Sequence, residues 1–97
     1  MKKMTVDEYL SDIKSRFGED PKNWKVICPM CKTVQSVQDF YDAGVKEASP
    51  VFGFSCIGRF TKSKGCDWTL GGLLQIHELE LIDTDGVKHP RFEIAEA

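Results

Sequence analysis

The sequence predicts an α+β fold in which an N-terminal amphipathic helix packs on a small antiparallel sheet. Two patterns predict it: a helical hydrophobic period near the start of the chain, and short strand-like runs separated by turn residues after it. A third observation is that four cysteines lie on two separate segments. With 97 residues, 41% of them hydrophobic and 29% charged, we expect residues 1–97 to form a single domain.

The clearest predicted element is a helix over residues 5–17, along which apolar side chains recur at helical spacing and form one stripe. We expect this stripe to dock on the core. Thr5 as N-cap and Glu8 three residues later form a capping box, and Gly18 supplies the left-handed stop.

Residues 24–70 are expected to form the core of the domain. Residues 24–27 and 33–35 are predicted as two arms of a hairpin, after which Ser36 caps a short helix. Residues 52–56 alternate large and small side chains, which indicates a further strand.

A C-terminal hairpin is predicted over residues 73–95, because Asp85-Gly86 separates two strand-like runs. Pro90 has no backbone donor, so its strand is expected at an edge or a bulge.

The cysteines follow the pattern Cys28-x2-Cys31 and Cys56-x9-Cys66. Four thiolates from two segments suit one structural Zn²⁺ ion in a closed tetrahedral site. The small hydrophobic core of a chain this short also needs a stabilising cross-link of this kind. The sheet is therefore expected to be zinc-ribbon-like. Glycines beside the second pair, Gly58 and Gly65, are expected to supply the bends that bring both sulfurs to the ion.

Two other interpretations of the cysteines stay open. Two disulfides would need an oxidising compartment, for which the chain carries no export signal. Thioredoxin-like redox turnover would need the first pair at a helix N-terminus in a βαβ pattern, whereas Cys28 follows a strand-like run.

The distribution of charge and the lack of catalytic sequence motifs disfavour several classes of function. Residues 67–97 carry 2 basic and 7 acidic side chains, which disfavours a grip on nucleic acid by the whole domain. No apolar run is long enough to span a bilayer, so we expect no membrane partner and a cytoplasmic location. The chain has no hydrolase or phosphate-loop motif, and we expect it not to be an enzyme.

One segment could contact nucleic acid locally. It holds three basic side chains and an aromatic ring, and no acidic residue occurs between Ala48 and Gly65. Stacking on a base together with phosphate contacts would need this combination. The candidate residues of this basic finger, as we call residues 59–64, are Arg59, Phe60, Lys62 and Lys64. The competing interpretation is a solvated loop that balances the thiolate charge.

Three sequence blocks carry a family resemblance: MTVDEYLSDIKSRFGEDPKNW, ICPMC followed by QDFYDAG, and SCIGR followed by GCDW. Over about residues 4–70 the chain resembles a family of small uncharacterised bacteriophage and prophage proteins. The resemblance implies that the four cysteines correspond to the family's own, and it implies residence in a bacterial host cell. It brings no activity with it.

These observations lead to two hypotheses of function. The first is a non-enzymatic, zinc-stabilised phage accessory protein that binds a host or phage protein and modulates host machinery or defence. The alternative is a zinc-ribbon nucleic-acid-binding protein that uses the basic finger.

Overall fold

The computed structural model describes residues 2–70 and 76–96 of the chain. In order, the helices and strands are β1 (Lys2–Thr5), α1 (Val6–Phe17), β2 (Lys25–Ile27), β3 (Val34–Ser36), α2 (Val37–Asp42), α3 (Ser49–Phe52), β4 (Leu79–Ile82), β5 (Lys88–Arg91) and β6 (Glu93–Ile94). Short 3-10 turns occupy Pro21–Asn23 and Ile57–Arg59. None of the helices in these two ranges is long and apolar enough to cross a bilayer.

The predicted α+β fold class is confirmed, and α1 agrees closely with its prediction. Thr5 is the N-cap, and its hydroxyl accepts from the Glu8 amide while the Glu8 carboxylate accepts from the Thr5 amide. Gly18 ends the helix at φ +88°. Tyr9 and Ile13 are the buried side chains of the apolar stripe. The helix forms as predicted because its signals lie within the segment itself.

The strands form two three-stranded sheets and not the one antiparallel sheet that was expected. The first sheet has the order β1-β4-β5 and the second has the order β3-β2-β6. β1 was not predicted, and it pairs parallel to β4 from Lys2 opposite Leu79 to Thr5 opposite Ile82. Its two lysines are exposed, so the strand carries no alternating pattern that would reveal it.

The C-terminal hairpin is confirmed from residue 79 onward, and residues 73–75 of that prediction lie outside the described part. Gly86 adopts φ +80° in the turn between β4 and β5. Pro90 lies in β5, an edge strand of its sheet, as expected. The predicted last strand forms two strands in the structure. At Phe92 the chain leaves the first sheet, and β6 then pairs with β2 in the second sheet.

The strand expected over residues 52–56 is wrong. α3 ends at Phe52, a turn follows, and Ser55 makes only a single antiparallel bridge to Thr69. A proline in the first turn favours α3, because the missing N–H is not needed there. The alternation of Phe52, Phe54 and Cys56 therefore arises from a helical turn followed by a bend.

A single cluster of buried side chains connects the helices to both sheets. Its largest fully buried members are Phe40 from α2, Phe92 from the strand switch, Ile13 from α1 and Ile57 beside the second cysteine pair. Cys28 and Cys56 belong to this cluster, so the cysteine site is continuous with the core.

Candidate metal centre

The first cysteine pair lies in the loop that joins β2 to β3. The loop closes through hydrogen bonds from the Cys28 amide to the Thr33 carbonyl, at 3.0 Å, and from the Lys32 amide to the Cys28 carbonyl, at 2.9 Å. Lys32 adopts φ +61°, a left-handed conformation that glycine would adopt without steric cost. This tight turn places Cys28 against the core and leaves Cys31 exposed.

The second cysteine pair lies on a segment that returns on itself. Cys56 precedes the turn Ile57–Arg59, and the Cys66 amide donates to the Cys56 sulfur over 3.2 Å. A Cβ placed on Gly58 would overlap the Cys66 backbone, and Gly65 adopts φ +85° with its Cβ position 2.9 Å from the Cys56 sulfur. Both glycines are therefore needed for this close approach, which confirms their predicted role.

Two features outside the loops hold the second segment in place. The Cys56 amide donates to the Trp68 carbonyl over 3.0 Å, and the Leu70 amide donates to the Phe54 carbonyl over 2.9 Å. The hydroxyl groups of Ser55 and Thr69 lie 2.8 Å apart. This short ladder fixes the direction in which Cys56 leaves the core.

The four sulfurs converge on one point. The Sγ atoms of Cys28, Cys31, Cys56 and Cys66 all lie within 4.8 Å of one another. Those of Cys28 and Cys66 are 3.9 Å apart, and those of Cys31 and Cys56 are 3.7 Å apart. All four cysteines are free, and a disulfide would need sulfurs about 2.05 Å apart. The arrangement therefore fits a four-sulfur site that could hold a metal ion.

The surroundings of Cys28, Cys31 and Cys66 shift the pKa values of their thiols in different directions. Without a bound cation, burial raises the pKa of Cys28 to about 12, against amide hydrogen bonds from Cys31 and Met30. Burial also raises the pKa of Cys66. For Cys31, burial is outweighed by hydrogen bonds from the Thr33 side chain and backbone and from the other thiols, so its pKa falls to about 6. A cation is what would stabilise all four buried or clustered thiolates together.

Sequence reasoning missed Gln35, a fully buried side chain that clamps the second segment to β3. Its Nε2 donates to the carbonyls of Phe52 and Ser55, at 2.8 and 3.0 Å, and its Oε1 accepts from the Ile57 amide at 2.8 Å. All the hydrogen-bonding capacity of this amide except one lone pair is thus used. No local pattern marks a lone glutamine in a strand, so no sequence signal could have found it.

The basic finger is drawn into contacts within the chain. Arg59 donates to the Asp67 carbonyl over 2.8 Å, and the Lys64 ammonium lies 2.9 Å from the Asp39 carboxylate. Phe60 packs edge-on against Phe40 with ring centroids 5.6 Å apart. Lys62 is exposed. Three of the four candidate nucleic-acid residues therefore make contacts within the chain, and whether the finger binds nucleic acid stays a prediction.

Comparison with known proteins finds a match to a family model. The family model described as VVA0879-like matches residues 5–95, which extends beyond the blocks that carried the sequence resemblance. Neither the curated proteins nor the solved structures contain a significant match. The family description names no activity and no phage source, so the phage origin stays a prediction. Because its model spans nearly the whole chain, the protein belongs to the VVA0879-like family.

Proposed function

We propose that the protein is a non-enzymatic accessory protein, stabilised by one structural Zn²⁺ ion, that binds a host or phage protein in the cytoplasm of a bacterial host cell. Through this binding it modulates host machinery or defence. The observation that carries the proposal is the convergence of four cysteine sulfurs from two distant segments. Such a site suits a structural and not a catalytic role, because four protein ligands leave no coordination position for water or substrate.

The spacing of the sulfurs supports the proposal of zinc, which four cysteine thiolates bind in structural sites. Zn–S bonds of about 2.3 Å in a tetrahedron place neighbouring sulfurs about 3.8 Å apart. The two measured Sγ separations, 3.9 and 3.7 Å, bracket this edge length. These two separations are compatible with a tetrahedral thiolate site, and bound zinc would supply structural cross-linking there.

The ion is expected to dominate stability. Apparent binding free energies of structural Zn²⁺ in small peptides are about 10–16 kcal/mol, whereas a small core contributes only about 3–5 kcal/mol. Cys28 and Cys56 lie in the buried cluster, so an unliganded site would leave buried thiols inside the core itself. We therefore propose that the metal-free chain is largely unfolded.

Exposed apolar side chains support a protein partner. Met30 and Val34 are 42% and 43% exposed, and both lie in or beside the loop that carries the first cysteine pair. A stapled loop presents such side chains with little conformational freedom left to lose on binding. Exposed apolar side chains held in this way suit a protein partner better than a charged polymer.

Nucleic-acid binding remains the second candidate, but the contacts of the basic finger do not favour it. Lys64 is paired with Asp39 and Arg59 is bonded to a backbone carbonyl, so binding phosphate would first break these contacts. Counterion release grows with the number of free cations, and the finger offers few.

Metal analysis tests the structural part of the proposal. Protein purified without chelator is expected to contain one equivalent of zinc by elemental analysis. Cys31→Ser should lose the ion and unfold, whereas Met30→Ser in the same loop should keep both metal and fold. Less than one equivalent of any metal in the wild-type protein would refute the site, and a full equivalent of iron would refute its assignment to zinc.

A separate experiment tests the function. The metal-loaded protein, immobilised, should retain a defined host or phage protein, and the purified partner should bind it with 1:1 stoichiometry. Salt-dependent binding to single-stranded DNA that is lost in an Arg59/Lys62/Lys64 triple alanine variant would instead support the nucleic-acid candidate. Absence of any reconstituted protein complex would overturn the leading proposal.

A further inference from the structure

A groove beside α1 combines aromatic walls with one cation. Its volume is about 250 Å³ and it runs between α1, the Pro21–Asn23 turn, α2 and β5. The residues that shape it are Tyr9, Trp24, Tyr41, Phe52, Gly53 and Arg91. Among the described residues that line the groove, Arg91 is the only charged one.

Arg91 is a half-buried cation without a carboxylate partner. Its Nη1 donates to the carbonyl of its own neighbour Pro90 over 2.6 Å, and its guanidinium lies 5.5 Å from the centre of the Phe54 ring. None of the ion pairs formed within residues 2–70 and 76–96 includes it. Burial lowers the pKa of Arg91, but a guanidinium remains charged in proteins. Such a charge gains from an anion that enters the groove.

The Tyr9 hydroxyl is a second donor at the same place. Burial raises the pKa of Tyr9 to about 12, against the opposing charge of Arg91, so the phenol keeps its proton at neutral pH. In the part of the chain that the structure describes, this hydroxyl has no hydrogen-bond partner. A phenol O–H and a guanidinium that line the same apolar groove are complementary to a carboxylate.

Gly53 keeps the floor of the groove open. Its φ is −103°, which any residue adopts, so its backbone does not require glycine. A Cβ there would lie 3.7 Å from Arg91 Cδ and 4.0 Å from the Tyr9 hydroxyl, which is ordinary contact. The position thus tolerates a methyl group structurally, and the methyl would take up space beside the Arg91 side chain and the Tyr9 hydroxyl. The Gly53 carbonyl accepts from the Phe92 amide over 2.9 Å, which fixes the floor to the strand switch.

We propose that this groove binds the C-terminal residue of a partner polypeptide, with the terminal carboxylate at Arg91 and Tyr9 and an aromatic or branched apolar side chain between the ring walls. The volume is below the 300–1,000 Å³ of pockets for drug-sized ligands, and it suits one side chain with its carboxylate. Capture of a chain end is a known mode of peptide recognition. The inference rests on the proposed function, since it names one surface that the partner would contact, apart from the exposed side chains of Met30 and Val34.

Titration of the zinc-loaded protein with the peptide acetyl-Gly-Gly-Gly-Phe tests the site. Amide NMR shifts are expected at Gly53 and Arg91, together with a change in Trp24 fluorescence. The C-terminally amidated peptide should bind at least about 10-fold more weakly, because it lacks the charge-assisted bonds. Arg91→Met and Gly53→Ala should each weaken binding of the peptide with the free carboxylate by a similar factor. Both variants should keep a wild-type fold by NMR. Lys88→Met, which removes an exposed cation from the same strand, is the matched control and should change nothing.

The remaining outcomes count against the inference or against the proposed function separately. Equal binding of acid and amide would overturn the role assigned to Arg91. Equal binding of 3-phenylpropionate and the peptide would make the groove a site for free acids and not for a chain end. If Arg91→Met and Gly53→Ala both retain the reconstituted partner fully, the groove is not the docking surface, although the proposed protein binding would stand. If the wild-type protein binds the peptide but no partner protein, the proposed function fails independently.

Discussion

Replacement of Gln35 by leucine tests how the second cysteine segment is held in place. The substitution keeps the approximate side-chain volume and removes every polar atom from a fully buried position. Three hydrogen bonds are lost, to the Phe52 and Ser55 carbonyls and to the Ile57 amide. Because leucine seals the position against water, these three backbone groups are left buried and unpaired.

The magnitude follows from those three groups. A buried polar group without a partner costs about 1–3 kcal/mol, and the added apolar burial of leucine offsets part of the total. We expect a net loss of about 3–4 kcal/mol in the free energy of unfolding. For a domain whose whole stability is about 5–15 kcal/mol this is a large fraction. If folding and metal binding are linked as proposed, apparent zinc affinity should fall by about two to three orders of magnitude.

Two measurements check this prediction: denaturant unfolding of the zinc-loaded protein, and competition for zinc with a chelator of known affinity. Gln38→Met is the matched control, because Gln38 makes one exposed hydrogen bond to Asp42 and should change stability by less than about 0.5 kcal/mol. If Gln35→Leu costs less than about 1 kcal/mol, the three bonds do not hold the segment and the reasoning is refuted.

Three further predictions concern single residues. Lys32→Gly should raise the free energy of unfolding by up to about 1 kcal/mol, because glycine adopts the left-handed conformation without steric strain. Lys32→Ala should not raise it, and an alanine variant that is more stable in thermal unfolding would contradict this explanation. Gly58→Ala should prevent metal binding in a zinc titration, because its Cβ overlaps backbone, whereas Gly44→Ala, with φ +91° and open space, should cost only about 1 kcal/mol. The hydrogen bond between His89 and Asp83, at 2.8 Å, is the largest cause that lowers the pKa of Asp83. The ionised carboxylate therefore stabilises the hairpin when the pH is above the ordinary aspartyl pKa. This stabilisation is lost as the pH falls through the lowered pKa of Asp83 in the folded protein. His89→Gln should move the Asp83 carboxyl titration, followed by NMR, back up towards the ordinary value, and an unchanged titration would contradict the assignment.

Elements whose signals are local could be predicted from the sequence. The capping box of α1 lies within four residues, and the Asp85-Gly86 turn lies between the strands that it joins. The cysteine site was predictable for a different reason, since cysteine has few roles in a small chain and paired spacing narrows them further. Its four members were named correctly as a cluster although the segment that carries Cys56 was assigned the wrong secondary structure.

The remaining features depend on contacts between distant residues. β1 pairs with β4 across more than seventy positions, and its lysine-rich sequence has no strand pattern of its own. The division of the last strand at Phe92 is set by where β2 offers a free edge, which no local signal reports. A groove such as the one at Arg91 exists only once α1 and β5 are in contact with the Gly53 turn. These features follow from tertiary packing, which overrides local preference.

The proposed metal ion and Gln35 would hold the same segment at adjacent residues. The proposed ion holds the Cys56 sulfur, while Gln35 holds the Ile57 amide one residue later. If the segment folds only when the ion is bound, the three Gln35 hydrogen bonds do not exist in the metal-free chain. Gln35→Leu should then cost about 3–4 kcal/mol in the zinc-loaded protein and almost nothing in a Cys56→Ser background, measured by circular dichroism and amide exchange. Equal losses in both backgrounds would show that the clamp folds without metal, and the claim that the ion dominates the architecture would be wrong.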